Sequence, residues 1–467
     1  MDINQALYLL HTLFAMLVAF LFFRYLYWGI VARQYYWKGR KKVTLSCLDQ
    51  EKLPFFSILV PARDEALVIA NTIEHLAQLN YPKDSYEVLV ITDEKELRKS
   101  KNIPNQITTQ SVVKQKIQEF KKRKNVPHLK HIVVPYDFDG RLGGVCLGRE
   151  VPSTKARALN YGLAYINDKT DICSFYDAES RPEKDVLLYL AHRYLASGRK
   201  QKAWQGPVFQ VRNYYQLRPI NKVIALFQAL SHEWYLPILM RDLPFLGGTN
   251  LHMEKNLLLK VGGYDPQALS EDLELGVRTY LESGEWPEYL PMVSTEQTPA
   301  TYKAYFRQRL RWGSGHLQVY DKIRNATHYD ESIRLLILKN LFWKGHGQWC
   351  FYQLMVIIPF IFLALTWMGQ IDPVNFRFNL HAWLKIMAPI PFSFVFYLFY
   401  RFRNYIDFSL VPSGKSKYLP VLQMVIVPVV GFFMVLPFTC ALILRALNKQ
   451  PREWVKTPRT QEIKAKA

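Results

Sequence analysis

The stretch FFSILVPARDEALVIANTIEHLAQLNYPKDSYEVLVITD, residues 55–93, decides the fold. Residues 55–62 form an apolar run of strand length. Residues 65–79 repeat apolar side chains at helical spacing. Residues 86–93 form a second apolar run that ends in an acid. Strand, helix and strand in this order predict a parallel βαβ unit. Runs at 131–135 and 171–180 supply two further strands, so residues 54–320 read as one α/β domain. Residues 95–131 carry many Lys and Arg around a helix whose basic face meets solvent or lipid headgroups.

Outward from this domain the chain is apolar. Of its 467 residues, 49% are hydrophobic and 14% aromatic, and the formal charge is +21. A basic balance implies anionic partners. Bunching of the apolar residues argues for membrane lipids and against nucleic acid. Residues 1–32 read as a transmembrane helix, with Arg24 snorkelling. A signal peptide fits less well, because the chain opens Met1-Asp2 without a basic start. Residues 33–53 form a basic linker that the positive-inside rule places in the cytosol. Residues 321–348 are expected to form an interface helix region. Residues 349–447 hold three apolar segments, at 349–368, 381–400 and 418–444, and 448–467 form a basic cytosolic tail. One crossing before the domain and three after it would put that tail outside. The last segment, with Pro420, Pro428 and Pro437, is therefore expected to re-enter or lie in the interface. The five cysteines include no CxxC pair, so neither a zinc site nor a disulfide framework is expected.

Ligands of open parallel sheets bind beyond the carboxyl ends of strands. Glu65 and Asp93 follow the first two strands; each could bind a base or ribose, or be a plain surface acid. Asp177 and Glu179 stand two apart after an apolar run, a spacing suited to one hard divalent cation, or simply to a turn. Ser270 reads as a helix N-cap ahead of Glu271 and Asp272, and a carboxylate there could also act as a general base. Lys155 precedes an amphipathic helix, where it could meet phosphate or solvent. In QRLRW (308–312) an amide, two guanidinium groups and an indole fall within five residues.

Together these stretches resemble the membrane-integrated family-2 glycosyltransferases, which include cellulose, chitin and hyaluronan synthases and some glycolipid synthases. The motifs run in order: VPARDEA, VLVITDE, STKARALNYGL (153–163), YDAES, QGPVFQV (205–211), GGTNLHMEKNLLLKVGGYDP (247–266), SEDLELG (270–276) and RQRLRW (307–312). The tail EWVKTPRT (453–460) also resembles the ending of many members. Two departures stand out: the usual Asp-Asp after the second strand reads Thr92-Asp93-Glu94, and the DxD reads Asp-Ala-Glu.

The resemblance implies a GT-A, Rossmann-like cytosolic domain with α-helical transmembrane and interface helices, in an integral protein of the plasma (inner) membrane. It implies inverting transfer of a hexosyl unit, glucose or N-acetylglucosamine, from a UDP-sugar with Mg²⁺ or Mn²⁺. Glu65 and Asp93 would contact the nucleoside, and Lys155 would lie near the diphosphate. Asp177 would bind metal and UDP, and Glu179 the metal. Asp272 would be the base. Gln308, Arg311 and Trp312 would serve the diphosphate and the acceptor. A growing β-linked polysaccharide is the first acceptor expected; diacylglycerol, ceramide or a polyprenyl carrier is the alternative. A nucleotide-sensing membrane protein without catalysis is the remote one. A partner subunit or homo-oligomer would be needed if the membrane helices alone are too few for a channel.

Overall fold

The computed structural model describes residues 3–37, 40, 42–100, 107–370, 400–410, 427–451 and 457–462. Helix α1 (Ile3–Ala32) opens the chain. Its thirty residues extend about 45 Å, longer than a bilayer's hydrocarbon core. The βαβ unit expected from the sequence follows as β1 (Phe55–Pro61), α2 (Ile69–Ala77) and β2 (Tyr86–Asp93). β1 and β2 pair in parallel, Phe56 opposite Tyr86 through Pro61 opposite Ile91. α2 starts four residues later than its apolar spacing suggests. Asp64 takes the left-handed conformation (φ 56°), and residues 65–68 form a turn closed by Val68 N–H on the Glu65 carbonyl. Glu65 therefore stays in the loop at the carboxyl end of β1.

Next come α3 (Glu94–Ser100), α4 (Thr109–Lys121), β3 (His128–Val134), α5 (Lys155–Leu163) and β4 (Thr170–Phe175). After these come β5 (Arg181–Pro182), α6 (Val186–Ala196), β6 (Ala203–Gln205), β7 (Val208–Phe209) and α7 (Pro219–Asp242). The domain closes with β8 (Leu251–Glu254), α8 (Lys255–Lys260), α9 (Glu271–Ser283), β9 (Glu288–Tyr289), β10 (Ser294–Thr295) and α10 (Tyr302–Asn325). The main sheet runs β3-β2-β1-β4-β8-β6-β9, parallel except where β8 meets β4 and β6, and β5-β10-β7 form a smaller sheet. Every residue of β2 is buried, as expected where helices cover both faces of a parallel sheet. Strand alternation divides the core. Phe56, Ile58 and Val60 face α2 and α6, whereas Leu59, Leu89 and Ile91 face α5 and α8.

α7 is the described helix long and apolar enough to cross a membrane, yet 72% of its apolar window is buried in the protein. That is the burial of a domain's central helix, and it packs against α1. α10 runs past residue 320 and leads to α11 (Glu331–Phe342), a π-helical segment (Trp343–Gly347), α12 (Gln348–Trp367) and α13 (Val427–Ala446). α13 lies along α10, with Tyr305 Oη donating to the Met434 carbonyl at 2.9 Å. The expected span 349–368 coincides with α12. Of the span 381–400, residues 381–399 lie outside the described residues, as do 418–426 of the last apolar segment.

Candidate active site

The loops at the carboxyl ends of β1, β2 and β4 meet the starts of α5 and α9 and one side of α10 around a cavity of about 220 Å³. Glu65, Asp93, Lys155, Asp177, Asp272, Gln308, Arg311 and Trp312 all line it. Glu179 does not.

Asp93 is held from two sides. Lys95 N–H donates to Oδ1 and Arg157 Nη1 to Oδ2, both at 2.9 Å. Each oxygen keeps a lone pair for a ligand. Lys155 opens α5 behind Thr154, whose side chain caps the helix. Its ammonium donates to Asp177 and, at 2.6 Å, to the Gly248 carbonyl. Burial opposes its charge, but Asp177, Glu271 and Asp272 outweigh burial and hold its pKa above the ordinary value.

The GGTN loop explains this convergence. Gly248 has φ +72°, and a Cβ there would stand 2.5 Å from Asp272 Oδ2, so both backbone and space demand glycine. Thr249 Oγ1 accepts from Asp177 N–H at 3.2 Å. Ser270 precedes α9 as expected, but its side chain makes no cap bond. Gly315 of α10 packs over it instead; a Cβ at 315 would lie 2.2 Å from Ser270 Oγ. Burial raises the pKa of Asp272, and burial followed by Asp272's charge pushes Glu271 up to about 7.

On α10, Arg311 donates to the Leu269 carbonyl at 3.0 Å and faces Glu271, Asp272 and Asp177. Gln308 is buried, and its Oε1 has no hydrogen-bond partner. Trp312 does not offer both faces: the Arg309 guanidinium lies 3.8 Å from its ring centroid and donates to Gln210 at 3.0 Å.

Asp177 and Glu179 lie beyond β4, in a turn, so no strand pleat aligns them. Asp177 pairs with Lys155. Glu179 is fully buried and pairs with Arg459 Nη1 at 2.6 Å. Among the described residues no three His, Cys, Asp or Glu side chains are grouped to hold a metal. The donor set still fits a hard cation that takes its remaining ligands from phosphate and water. Asp177 reaches the cavity, and Glu179 Oε2 is buried without a hydrogen bond.

The sequence reading missed several lining residues. Arg459 is the foremost; its signal was the tail's resemblance, which gave no location. Glu296, buried and hydrogen-bonded to Ser180 at 2.6 Å, adds another carboxylate. His232 on α7 accepts Val208 N–H at Nδ1 (3.2 Å), which leaves its proton on Nε2, and burial pushes its pKa down to about 3.

Residues 174–436, more than half of the chain, match the profile described as "Glycosyl transferase family group 2". The chain belongs to that family. It is therefore a glycosyltransferase with a GT-A-like α/β domain. A probable glycosyltransferase of Bacillus subtilis, YdaM, is 27% identical over 427 residues, covering 89% of this chain and 90% of the relative. A beta-monoglucosyldiacylglycerol synthase of Nostoc is 25% identical over 307 residues; the match covers 62% of this chain and only 53% of that synthase. The solved mannosyltransferase PcManGT of Pyrobaculum calidifontis, in complex with GDP-Man and Mn²⁺, aligns at TM-score 0.50 and 16% identity. That alignment covers 94% of this chain and 99% of its own. At that identity the likeness speaks for the fold alone.

Proposed function

We propose that this glycosyltransferase works at a membrane surface and moves one hexosyl unit, with inversion, from a UDP-sugar to a hydroxyl of a membrane lipid. The observation that carries the reading is the convergence of Asp272, Lys155, Asp177 and Arg311 on one cavity beside Trp312. Asp272 takes the proton of the acceptor hydroxyl. The acceptor oxygen bonds to the anomeric carbon as the bond to the diphosphate breaks. Lys155 and Arg311 hold the charge that develops on the departing diphosphate. Glu65 and Asp93 bind the nucleoside. A Mg²⁺ or Mn²⁺ ion at Asp177 and Glu179, when bound, would supply further neutralisation.

Lipid is preferred here to the polysaccharide first expected from the sequence. α11 and the π-helical segment that follows it expose Leu335, Leu336, Lys339, Phe342 and Trp343 along one side, the composition of a helix lying in a headgroup layer. This supports the interface region expected at 321–348 and a membrane-anchored protein with a cytosolic site. The polar groups between α12 and α13 bond to one another: Thr439 donates to Gln353, whose amide donates to the Phe432 carbonyl at 3.1 Å. Such pairing is helix-to-helix adhesion rather than a sugar-lined path. A relative that is a monoglucosyldiacylglycerol synthase supports the same choice.

The test is purified protein in lipid nanodiscs with Mg²⁺ or Mn²⁺, radiolabelled UDP-sugars and diacylglycerol. A small product extracted by organic solvent is expected. A high-molecular-weight product cleaved by a β-glycosidase would overturn the lipid acceptor in favour of a polymer. Absence of UDP release with every donor offered would overturn the UDP-sugar as donor.

A further inference from the structure

The carboxyl-terminal residues 457–462 lie in the catalytic domain, far along the chain from everything they touch. Arg459 lines the cavity, and Glu179 sits behind it, outside the cavity lining. Besides its ion pair with Glu179 at 2.6 Å, Arg459 Nε lies 3.5 Å from Glu65 Oε1. The segment is seated by its neighbours. Thr460 N–H donates to Gln297 Oε1, and Gln297 Nε2 donates back to the Thr460 carbonyl, both at 2.9 Å. Glu462, half-buried, pairs with Arg181 (2.9 Å) and Arg212.

Each carboxylate of the Asp-Ala-Glu motif thus has a cation from its own chain: Lys155 for Asp177, Arg459 for Glu179. A buried carboxylate needs such a counter-charge. Glu179 cannot serve Arg459 and a divalent ion fully at once, because two cations on one carboxylate repel. Its Oε2, without a hydrogen bond, is the atom left for the second occupant.

We propose that Arg459 is a tethered counter-cation that occupies Glu179 in the donor-free protein and is exchanged for the divalent metal. This rests on the reading of Asp177 and Glu179 as the metal's residues. The carboxyl-terminal segment then sets the metal affinity of the empty enzyme. It keeps that affinity low until a diphosphate brings the further ligands the ion needs.

The experiment is an electron paramagnetic resonance titration with Mn²⁺ of the full chain in zwitterionic nanodiscs, without nucleotide. Arg459→Gln is expected to bind Mn²⁺ about tenfold more tightly than the unsubstituted protein, the scale of removing one adjacent charge. Arg459→Lys, which keeps the charge, should stay near the original affinity. Glu462→Gln, which loosens the segment without touching Arg459 or Glu179, should shift affinity in the same direction by less. Equal or weaker Mn²⁺ binding in both Arg459→Gln and Glu462→Gln overturns the proposal. Glu179→Gln separates the two readings. If it leaves Mn²⁺ binding intact, the metal assignment fails and the proposal with it. If it weakens binding while the other two variants fail to tighten it, only the counter-cation role falls.

Discussion

The two walls of the cavity are built by different means. On the strand-end wall, acids come from the carboxyl ends of β1, β2 and β4, and each is matched by a cation from elsewhere: Glu65 by Arg459, Asp93 by Arg157, Asp177 by Lys155. On the α10 wall, one helix supplies everything. Gln308, Arg311 and Trp312 stand at i, i+3 and i+4 and so share a face. Arg309, off that face, reaches over the indole. The first wall binds charge through pairs that a ligand must enter or replace. The second presents groups whose positions the helix fixes beforehand. The first should therefore govern affinity for donor and metal, and the second the chemistry and the acceptor, with Asp272 at the seam.

The sharpest way to break this division is at the seam. Asp272→Asn should lower transfer by about a thousandfold, within the range for loss of a general base, while UDP still binds. Steady-state turnover and UDP calorimetry on the same preparation check both halves. Near-normal turnover would remove α9 from the chemistry. Arg311→Gln comes next. It should lower kcat by about a hundredfold, as loss of a leaving-group contact does, with a smaller change in the donor's KM. A change confined to donor KM would move Arg311 to the binding wall.

The same division decides how much the sequence could tell. The βαβ unit was legible because apolar periodicity is a local property, and the acids were legible because they end strands. α10's motif was legible because five consecutive residues fix their own geometry. Glu179's partner was not, since Arg459 lies 280 residues away and no local pattern links them. The strand expected over 171–180 fell short for a related reason: β4 ends at Phe175, and Asp177 and Glu179 lie in the loop and turn beyond it. Arg309 was missed because a guanidinium in a basic stretch says nothing of the ring it will cover. α7 was missed as a helix because nothing local marks an apolar segment as a domain's interior.

Two smaller effects sharpen the comparison. With Glu271 pushed up to about 7 by burial and by Asp272, this acid beside the base loses its charge as pH falls through that value. The value kcat/KM should then fall toward tenfold per pH unit below about 7 and stay level above it. Stability runs the other way. The folded protein holds this proton more tightly than the unfolded chain, whose glutamate pKa is 4.5, so stability falls as pH rises from there toward about 7. A pH profile of kcat/KM beside thermal unfolding over pH 5–8 tests both signs, and Glu271→Gln should flatten each.

The smallest effect belongs to Arg309. Its guanidinium covers one face of Trp312 and donates to Gln210, so Arg309→Gln loses the stacking cation. A cation–π contact of this kind contributes about 1–2 kcal/mol when desolvated. If Trp312 serves the acceptor, that loss should raise the acceptor's KM about five- to tenfold and leave the donor's KM unchanged. Arg309→Lys should restore part of it, because lysine keeps the charge but not the planar stack. Equal rises in both KM values would mean that Arg309 braces the whole cavity, and the two walls would then be one.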